Sequence, residues 1–219
     1  MKRTLACILL LTLILATASA AMAGAKDPAG AWSVRTTTKA IKPDKQALKA
    51  LKQATKAHDG FDITALALLG SQCVNGTNYC FLCHGTTVTL KQKNSLCLVY
   101  VYAPASGKAE ITGIVDVKLK KAPSCGWKLS KSRSEIACTD KAKKALKAAT
   151  SDLVGATYKP LALLGRGKSG SSDYSLLCCR TYSDHSSTKS LCLVRVGKSS
   201  KSKYKIKDVS DLDIVKLAP

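Results

Sequence analysis

The chain has 219 residues, and its 35 lysines and arginines against 14 aspartates and glutamates give a formal net charge of +21. This length suits two domains of roughly 100 residues, and the positive field favours acidic or anionic partners, such as a polysaccharide or an anionic surface. Specific nucleic-acid recognition is disfavoured, because the excess charge is mostly lysine, which lacks the planar fork of arginine, and only 5% of residues are aromatic.

The start of the chain has the features of a secretory signal peptide over residues 1–23. Lys2 and Arg3 precede an apolar run, residues 5–15, and small residues at the end of the segment form a cleavage site. The apolar run is too short to cross a bilayer, and no later run approaches the roughly 18 to 20 apolar residues of a membrane helix. We therefore predict a secreted or otherwise exported protein, extracellular or periplasmic, without a membrane span.

An internal repeat divides the rest of the chain. Residues 65–101 recur 95 positions later without a gap, so that residues 66–70 and 161–165 have the same sequence. Solenoid repeats run to roughly 20 to 50 residues, and a period about twice as long indicates two copies of a whole small domain. We predict one domain over residues 24–121 and a second over residues 122–219.

Each copy begins with a short strand around a tryptophan, Trp32 or Trp127, and continues with an amphipathic helix. Asp44 is the expected N-cap of the first helix, and Thr139 or Asp140 that of the second. Strand-like segments follow, and one helix packed across a curved antiparallel sheet makes each copy an α+β domain. In the first copy the strands are expected at residues 64–72, 78–90, 96–102 and 110–119. The apolar stripes of the helices are Ala47, Leu48, Leu51 and Ala54, then Ala142, Ala145, Leu146, Ala149 and Leu153, with Gly60 and Gly155 as the expected stops.

The repeat also indicates which face of each sheet meets its helix. Positions that are apolar in both copies should face the helix, and the other face, which carries His84, Tyr100 and Arg195, should face water. The helix-facing set is Phe81, Cys83, Cys97, Val99 and Val101, with Leu176, Cys178, Cys192, Val194 and Val196 at the equivalent positions.

All cysteines except Cys7 follow the predicted signal peptide, and an exported chain meets oxidising conditions. Cysteines opposite each other on neighbouring strands lie close enough for cross-strand disulfides. The alternative is that they are buried free thiols that act as small hydrophobes. The candidate cross-strand pairs are Cys83 with Cys97 and Cys178 with Cys192. Cys125 and Cys138 flank the first strand of the second copy and are a third candidate pair, and Cys73, Cys80 and Cys179 have no obvious partner.

Residues 72–79, Gln-Cys-Val-Asn-Gly-Thr-Asn-Tyr, resemble the first inhibitory hairpin of the cystatins, whose pattern is Gln-x-Val-x-Gly, often followed by Thr-Asn-Tyr. The surrounding order is similar as well. Gly30 precedes the first strand, a helix follows, and Ala103 and Pro104 lie at the second hairpin. The resemblance covers residues 30–119, and it implies two cystatin-like domains of which the second is degenerate.

The resemblance further implies that one edge of the first domain enters the cleft of a papain-like cysteine protease and blocks it reversibly. A tight hairpin loses little conformational entropy on docking, and Gly76 allows a positive φ and close backbone approach. Such an inhibitor is not an enzyme and needs no cofactor and no metal. The expected protease-binding residues are Gly30, Gln72, Cys73, Val74, Asn75, Gly76, Ala103 and Pro104.

The second copy departs from the cystatin pattern. It has Gly-Lys-Ser-Gly-Ser at residues 167–171 and Gly-Lys-Ser at residues 197–199, where the proline would lie, and is expected not to inhibit. In the first copy, Cys73 is open to oxidation, and residues 75–77 form a glycosylation acceptor that would place a sugar on the loop. The competing hypothesis is a non-inhibitory secreted binding module whose lysine-rich surface contacts anionic partners.

One further motif, Cys-Phe-Leu-Cys-His at residues 80–84, matches the pattern of covalent haem attachment. In a strand, however, residues three apart face opposite sides, whereas haem attachment needs both sulfurs on one side, so we predict no haem. His58, His84 and His185 are scattered, and no second Cys-x-x-Cys completes a zinc site. Because neither a phosphate-binding loop nor a serine elbow is present, an enzyme is not expected.

Overall fold

The computed structural model describes residues 30–56, 58, 60–87, 93–119, 123, 126–168, 171–183, 188–199 and 203–219. It contains two units, and each consists of a five-stranded antiparallel sheet with one helix packed against it. The predicted α+β class is confirmed. In the described part of the chain, no helix is long and apolar enough to cross a membrane. The predicted signal peptide and Cys125 lie outside the described residues.

The two units have the same order of elements. In the first, the sheet order β1-β2-β3-β4-β5 follows the sequence, and in the second the order is likewise β6-β7-β8-β9-β10. The first unit comprises β1 (Trp32–Val34), α1 (Lys45–Thr55), β2 (Phe61–Val74), β3 (Gly76–Thr87), β4 (Asn94–Ala103) and β5 (Glu110–Val117). The second comprises β6 (Trp127–Leu129), α2 (Asp140–Thr150), β7 (Ala156–Gly167), β8 (Tyr174–Tyr182), β9 (Lys189–Lys198) and β10 (Tyr204–Asp211).

Both helices begin at side-chain caps. The Asp44 carboxylate accepts a hydrogen bond from the Ala47 amide at 2.8 Å, and the Thr139 hydroxyl accepts one from the Ala142 amide at 3.3 Å. The prediction that Gly60 ends the first helix is wrong, as is its counterpart in the second copy. The helices end at Thr55 and Thr150, and the two glycines have positive φ where the chain enters β2 and β7. Leu153, which was assigned to the second apolar stripe, is 45% exposed beyond the helix end.

Each helix covers one face of its own sheet. The predicted helix-facing set is confirmed, because in each unit all of its members are buried in one cluster with the helix. Alanine supplies much of the helix side of these clusters, which lets the backbone of each helix approach the sheet closely. The buried helix residues are Ala47, Ala50, Leu51 and Ala54 in α1 and Ala142, Ala145 and Leu146 in α2.

The other faces of the two sheets pack against each other, and this corrects the prediction that they face water. Tyr100 is 2% exposed and His84 is 5% exposed, and the Arg195 side chain is also largely covered. The physical reason is that β3 and β4 are apolar on both faces, so that the second face needs a cover as well. The resulting central core draws residues from both units, among them Leu82, Leu96, Leu98, Leu164, Leu177, Leu191 and Leu193.

The contacts between the units are reciprocal. Leu129 of the second unit shares a recess with Ser95 and Asp116 of the first. Val34 of the first unit shares another with Ser190, which lies 95 positions after Ser95. Reciprocal contacts of equivalent residues indicate an approximate two-fold relation, as in a symmetric dimer. Val34 pairs with Gly70, near the β2–β3 tip, whereas the recess that it shares lies at the β8–β9 end of the second sheet. The β2–β3 and β7–β8 hairpins therefore point in opposite directions.

The C-terminal segment after β10 ties the second unit to the first. The Tyr100 hydroxyl donates a hydrogen bond to the Ile214 carbonyl at 2.8 Å. A Cβ at Gly70 would lie 2.7 Å from Cδ1 of the Ile214 side chain, and one at Gly113 would lie 3.2 Å from Pro219. The absence of side chains at these two glycines therefore leaves room for the segment to pack on the first sheet.

His84 is expected to make the stability of this packing depend on pH. Burial lowers its pKa from the ordinary value of 6.5, Lys131 lowers it further, and Glu135 and a hydrogen bond with Asn94 oppose the shift. The folded chain therefore binds fewer protons at His84 than the unfolded chain does. The contribution of His84 to the free energy of unfolding is constant above about pH 7 and is lost as the pH falls through the lowered pKa. Urea midpoints measured from pH 7.5 to 5 should fall more steeply in the native protein than in His84→Leu. Equal slopes would contradict the prediction.

Candidate functional site

The hairpin between β2 and β3 ends in a tight turn at the predicted motif. Val74 pairs with Gly76, and Asn75 alone lies between them. Gly76 has φ +120°, a conformation that glycine adopts without steric cost. The turn therefore projects a narrow tip, in which Val74 is 43% exposed and Cys73 and Asn75 are also exposed.

The β4–β5 loop lies directly against this tip. A Cβ at Gly76 would be 2.5 Å from the Ala103 carbonyl oxygen and 2.8 Å from Cα of Pro104. In addition, the Tyr102 hydroxyl donates a hydrogen bond to the Asn75 carbonyl. The two hairpin ends are thus held together by strand pairing, by close backbone packing and by one side-chain hydrogen bond.

Gln72 joins the N-terminal segment to the same edge. Its side-chain amide donates a hydrogen bond to the Gly30 carbonyl at 2.7 Å, and its side-chain oxygen accepts one from the Asn78 amide at 2.7 Å. Trp32 pairs with Gln72 in the sheet. The side-chain amide of Gln72 thus links the N-terminal segment to both strands of the hairpin by hydrogen bonds.

We use the term wedge for the eight predicted residues, which the structure brings together at one edge of the first unit. They carry no charged side chain, and one apolar side chain, that of Val74, is well exposed among them. Their binding role stays a prediction. The wedge residues are Gly30, Gln72, Cys73, Val74, Asn75, Gly76, Ala103 and Pro104.

Two positioning residues of the wedge were not singled out from the sequence. Asn78 lies within the motif, and its position six residues after Gln72 in a hairpin was a usable signal. Tyr102 is 27 residues away from its partner Asn75, and the contact exists only once β3 and β4 are in register. No local pattern in the sequence predicts the second contact.

The equivalent edge of the second unit is built differently. The strand pairing ends at Arg166 and Tyr174, so the β7–β8 loop is longer than the turn of the first unit. Asp173 accepts hydrogen bonds from the Ser171 hydroxyl at 2.6 Å and from the Arg195 guanidinium at 3.0 Å. This edge is therefore polar and charged, in contrast to the uncharged wedge.

Two of the three candidate disulfide pairs lie opposite each other, as the sequence indicated, and the third includes Cys125, which lies outside the described residues. Cys83 pairs with Cys97 and Cys178 pairs with Cys192 in the antiparallel ladders, and all four are fully buried. The described cysteines, Cys138 included, are free thiols in the structure. Their oxidation to disulfides stays a prediction.

Thiol reactivity should single out Cys73 among the described cysteines. It is exposed, whereas burial raises the pKa of Cys80 and Cys97 to about 12 and that of Cys192 to about 11, which suppresses the reactive thiolate. At pH 8, iodoacetamide should label Cys73 of the reduced protein well before these three, as followed by peptide mass spectrometry. The Cys73→Ser variant serves as control, and equal labelling of Cys80 in the folded protein would contradict the prediction.

The Cys-x-x-Cys-His motif lies within β3, as predicted. Cys80 faces the central core between the sheets, whereas Cys83 faces the helix-side cluster of the first unit. The two sulfurs therefore point to opposite faces of the sheet and are not arranged to hold one haem. Among the residues that the structure describes, no group of three or more His, Cys, Asp or Glu side chains is placed to bind a metal ion.

No protein-family model matches this chain, and no curated protein matches it significantly.

Proposed function

We propose that this chain is an exported, reversible inhibitor of papain-like cysteine proteases, and that both units have a cystatin-like fold. The observation that carries the proposal is the meeting of three separate segments at the wedge. Gly30 of the N-terminal segment is bonded to Gln72 of the hairpin, and the hairpin tip at Gly76 packs against the loop at Pro104, in the order that the cystatin resemblance implies. The strand order with a helix after β1 agrees with that layout.

The wedge has the physical properties of a plug for a protease cleft. Its segments are fixed to each other before binding, so little conformational entropy is lost on docking. The absence of charge lowers the desolvation penalty, and burial of the 43% of the Val74 side chain that is exposed contributes about 1 kcal/mol. The wedge blocks the cleft by occupying it, and the chain supplies no group to the chemistry.

Titration of papain with the mature full-length protein, residues 24–219, tests the proposal. We expect stoichiometric, reversible loss of activity, restored on dilution. Val74→Asp should weaken inhibition by about 30-fold, because the apolar contact is lost and an unpaired carboxylate is placed in the interface.

A matched control is available in the same chain. Val154, at 97% exposure, follows α2 in the second unit and is not a wedge residue. Val154→Asp makes the same change of side chain and charge, and it should leave the inhibition constant unchanged. Absence of inhibition by the native protein, or equal effects of the two substitutions, would refute the proposal.

The surface charge supports a second candidate, a binding module for anionic polysaccharides or surfaces. Lys143 is the only lysine with an ion pair among the described residues, and that pair, with Asp140, is exposed. The remaining described lysines are therefore free to attract a polyanion. Heparin binding that falls steeply with salt and is unchanged by Val74→Asp, together with the absence of protease inhibition, would favour this candidate.

A further inference from the structure

The two units together form a cleft of about 620 Å³ where the loop before α1 meets the loop before α2. We propose that this inter-unit cleft binds a small amphipathic anion, a molecule with an apolar body and one carboxylate or sulfate head group. The volume lies in the range of roughly 300 to 1,000 Å³ that small-molecule sites occupy, and such sites favour domain junctions. No wedge residue lines the cleft, so this site is independent of the proposed inhibition.

The floor of the inter-unit cleft is apolar and comes equally from both units. Ile41 and Leu66 belong to the first unit and are 3% and 1% exposed. Ile136 and Leu161 lie 95 positions later and are 9% and 4% exposed. Neither unit alone has more than half of this floor, so the tandem arrangement creates a site that a single copy lacks.

The rim of the inter-unit cleft is cationic. Lys42, Arg133 and Lys143 line it, and no acidic residue is among the described residues that do. Lys42 and Arg133 have no ion-pair partner within the described part of the chain. Lys143 has an exposed partner, Asp140, at 3.4 Å, and such a pair is readily exchanged for another anion.

The combination of floor and rim determines the class of ligand. An apolar floor favours an aliphatic or aromatic body over a sugar or a free phosphate. Two cations that have no ion-pair partner among the described residues lie beside a surface of low polarity, where they attract an anionic head group more strongly than they would in bulk water. An uncharged lipid or a cation would lack one of these two contributions.

Fluorescence titration with a dansyl-labelled undecanoic acid tests the proposal on the full mature chain. We expect saturable binding of one probe per chain, and at least tenfold weaker binding of the corresponding dansyl-labelled alcohol. The double variant Lys42→Glu/Arg133→Glu should weaken binding of the acid at least tenfold, because both unpaired rim charges are reversed.

The control reverses two charges elsewhere. Lys49 in α1 and Lys205 in β10 do not line the inter-unit cleft, and Lys49→Glu/Lys205→Glu should leave probe affinity within about twofold. Ile136→Trp, which fills the floor, should abolish binding while papain inhibition is unchanged. The proposal is overturned by the absence of saturable binding, by several equivalents of probe per chain, or by equal losses in the two double variants.

Discussion

Gly76→Ala should weaken protease inhibition by about 100-fold, or about 2.8 kcal/mol. The added Cβ would lie 2.5 Å from the Ala103 carbonyl and 2.8 Å from Cα of Pro104, and both are backbone atoms that cannot rotate away. The two hairpin ends must therefore separate, and the wedge widens at its tip. Inhibition constants against papain measure the effect.

Gly107→Ala is the matched control for this prediction. Gly107 lies in the same β4–β5 loop and also has positive φ, +112°, but its nearest neighbour would be the Pro104 ring at 3.7 Å, an ordinary contact. Gly107→Ala introduces the same kind of backbone strain, which costs about 1 kcal/mol of stability, but it creates no steric clash. Equal loss of inhibition in the two variants would show that backbone strain, and not the spacing of the hairpins, explains the effect.

Leu82→Ala should destabilise both units, although Leu82 belongs to the first. Leu82 is fully buried in the central core, and removal of a buried leucine side chain lowers the free energy of unfolding by about 2 to 5 kcal/mol. Because the second unit packs on the same core, its unfolding midpoint should fall as well. Urea denaturation should show one transition for the whole chain.

The position of the tryptophans allows each unit to be followed separately. Trp32 lies in the first unit and Trp127 in the second, and the sequence contains no other tryptophan. In a Trp32→Phe background the tryptophan fluorescence comes from Trp127 of the second unit. Leu82→Ala should shift the midpoint seen there as far as it shifts the midpoint seen in a Trp127→Phe background. An unchanged midpoint at Trp127 would show that the units unfold independently.

The order of helices and strands could be predicted from the sequence because it depends on local patterns. Each of these patterns can be recognised within a few residues of sequence: the caps at Asp44 and Thr139, the apolar stripes and the turn glycines. The predicted helix ends lie too late in the chain. Gly60 and Gly155 have the positive φ of a stop signal, but they lie where the chain enters a strand and not where a helix ends.

The prediction misses the central core because it assigns the apolar residues common to both copies to one face of each sheet only. Residues 79–83 and 96–101 are almost uninterrupted apolar runs, which is the pattern of strands covered on both sides. Tyr100 and His84 in these strands favour a solvent-facing prediction, but the Tyr100 hydroxyl donates a hydrogen bond to the Ile214 carbonyl. That partner is 114 residues away, and only the packing of one unit on the other reveals it.

The wedge could be located from its motif, but its internal support could not. Gln72 and Gly76 are recognisable as residue types at a fixed spacing. The backbone crowding between Gly76 and Pro104 depends on the relative position of two hairpins, which the sequence does not encode locally.

The approximate two-fold relation between the units makes the two copies depend on each other. A single copy would leave the second apolar face of its sheet open to water, and pairing of two identical copies would cover that face, as in a symmetric dimer. The tandem chain achieves the same cover within one molecule. The ends of the β2–β3 and β7–β8 hairpins lie outside this shared core and differ in length and charge, so one molecule presents two dissimilar ends.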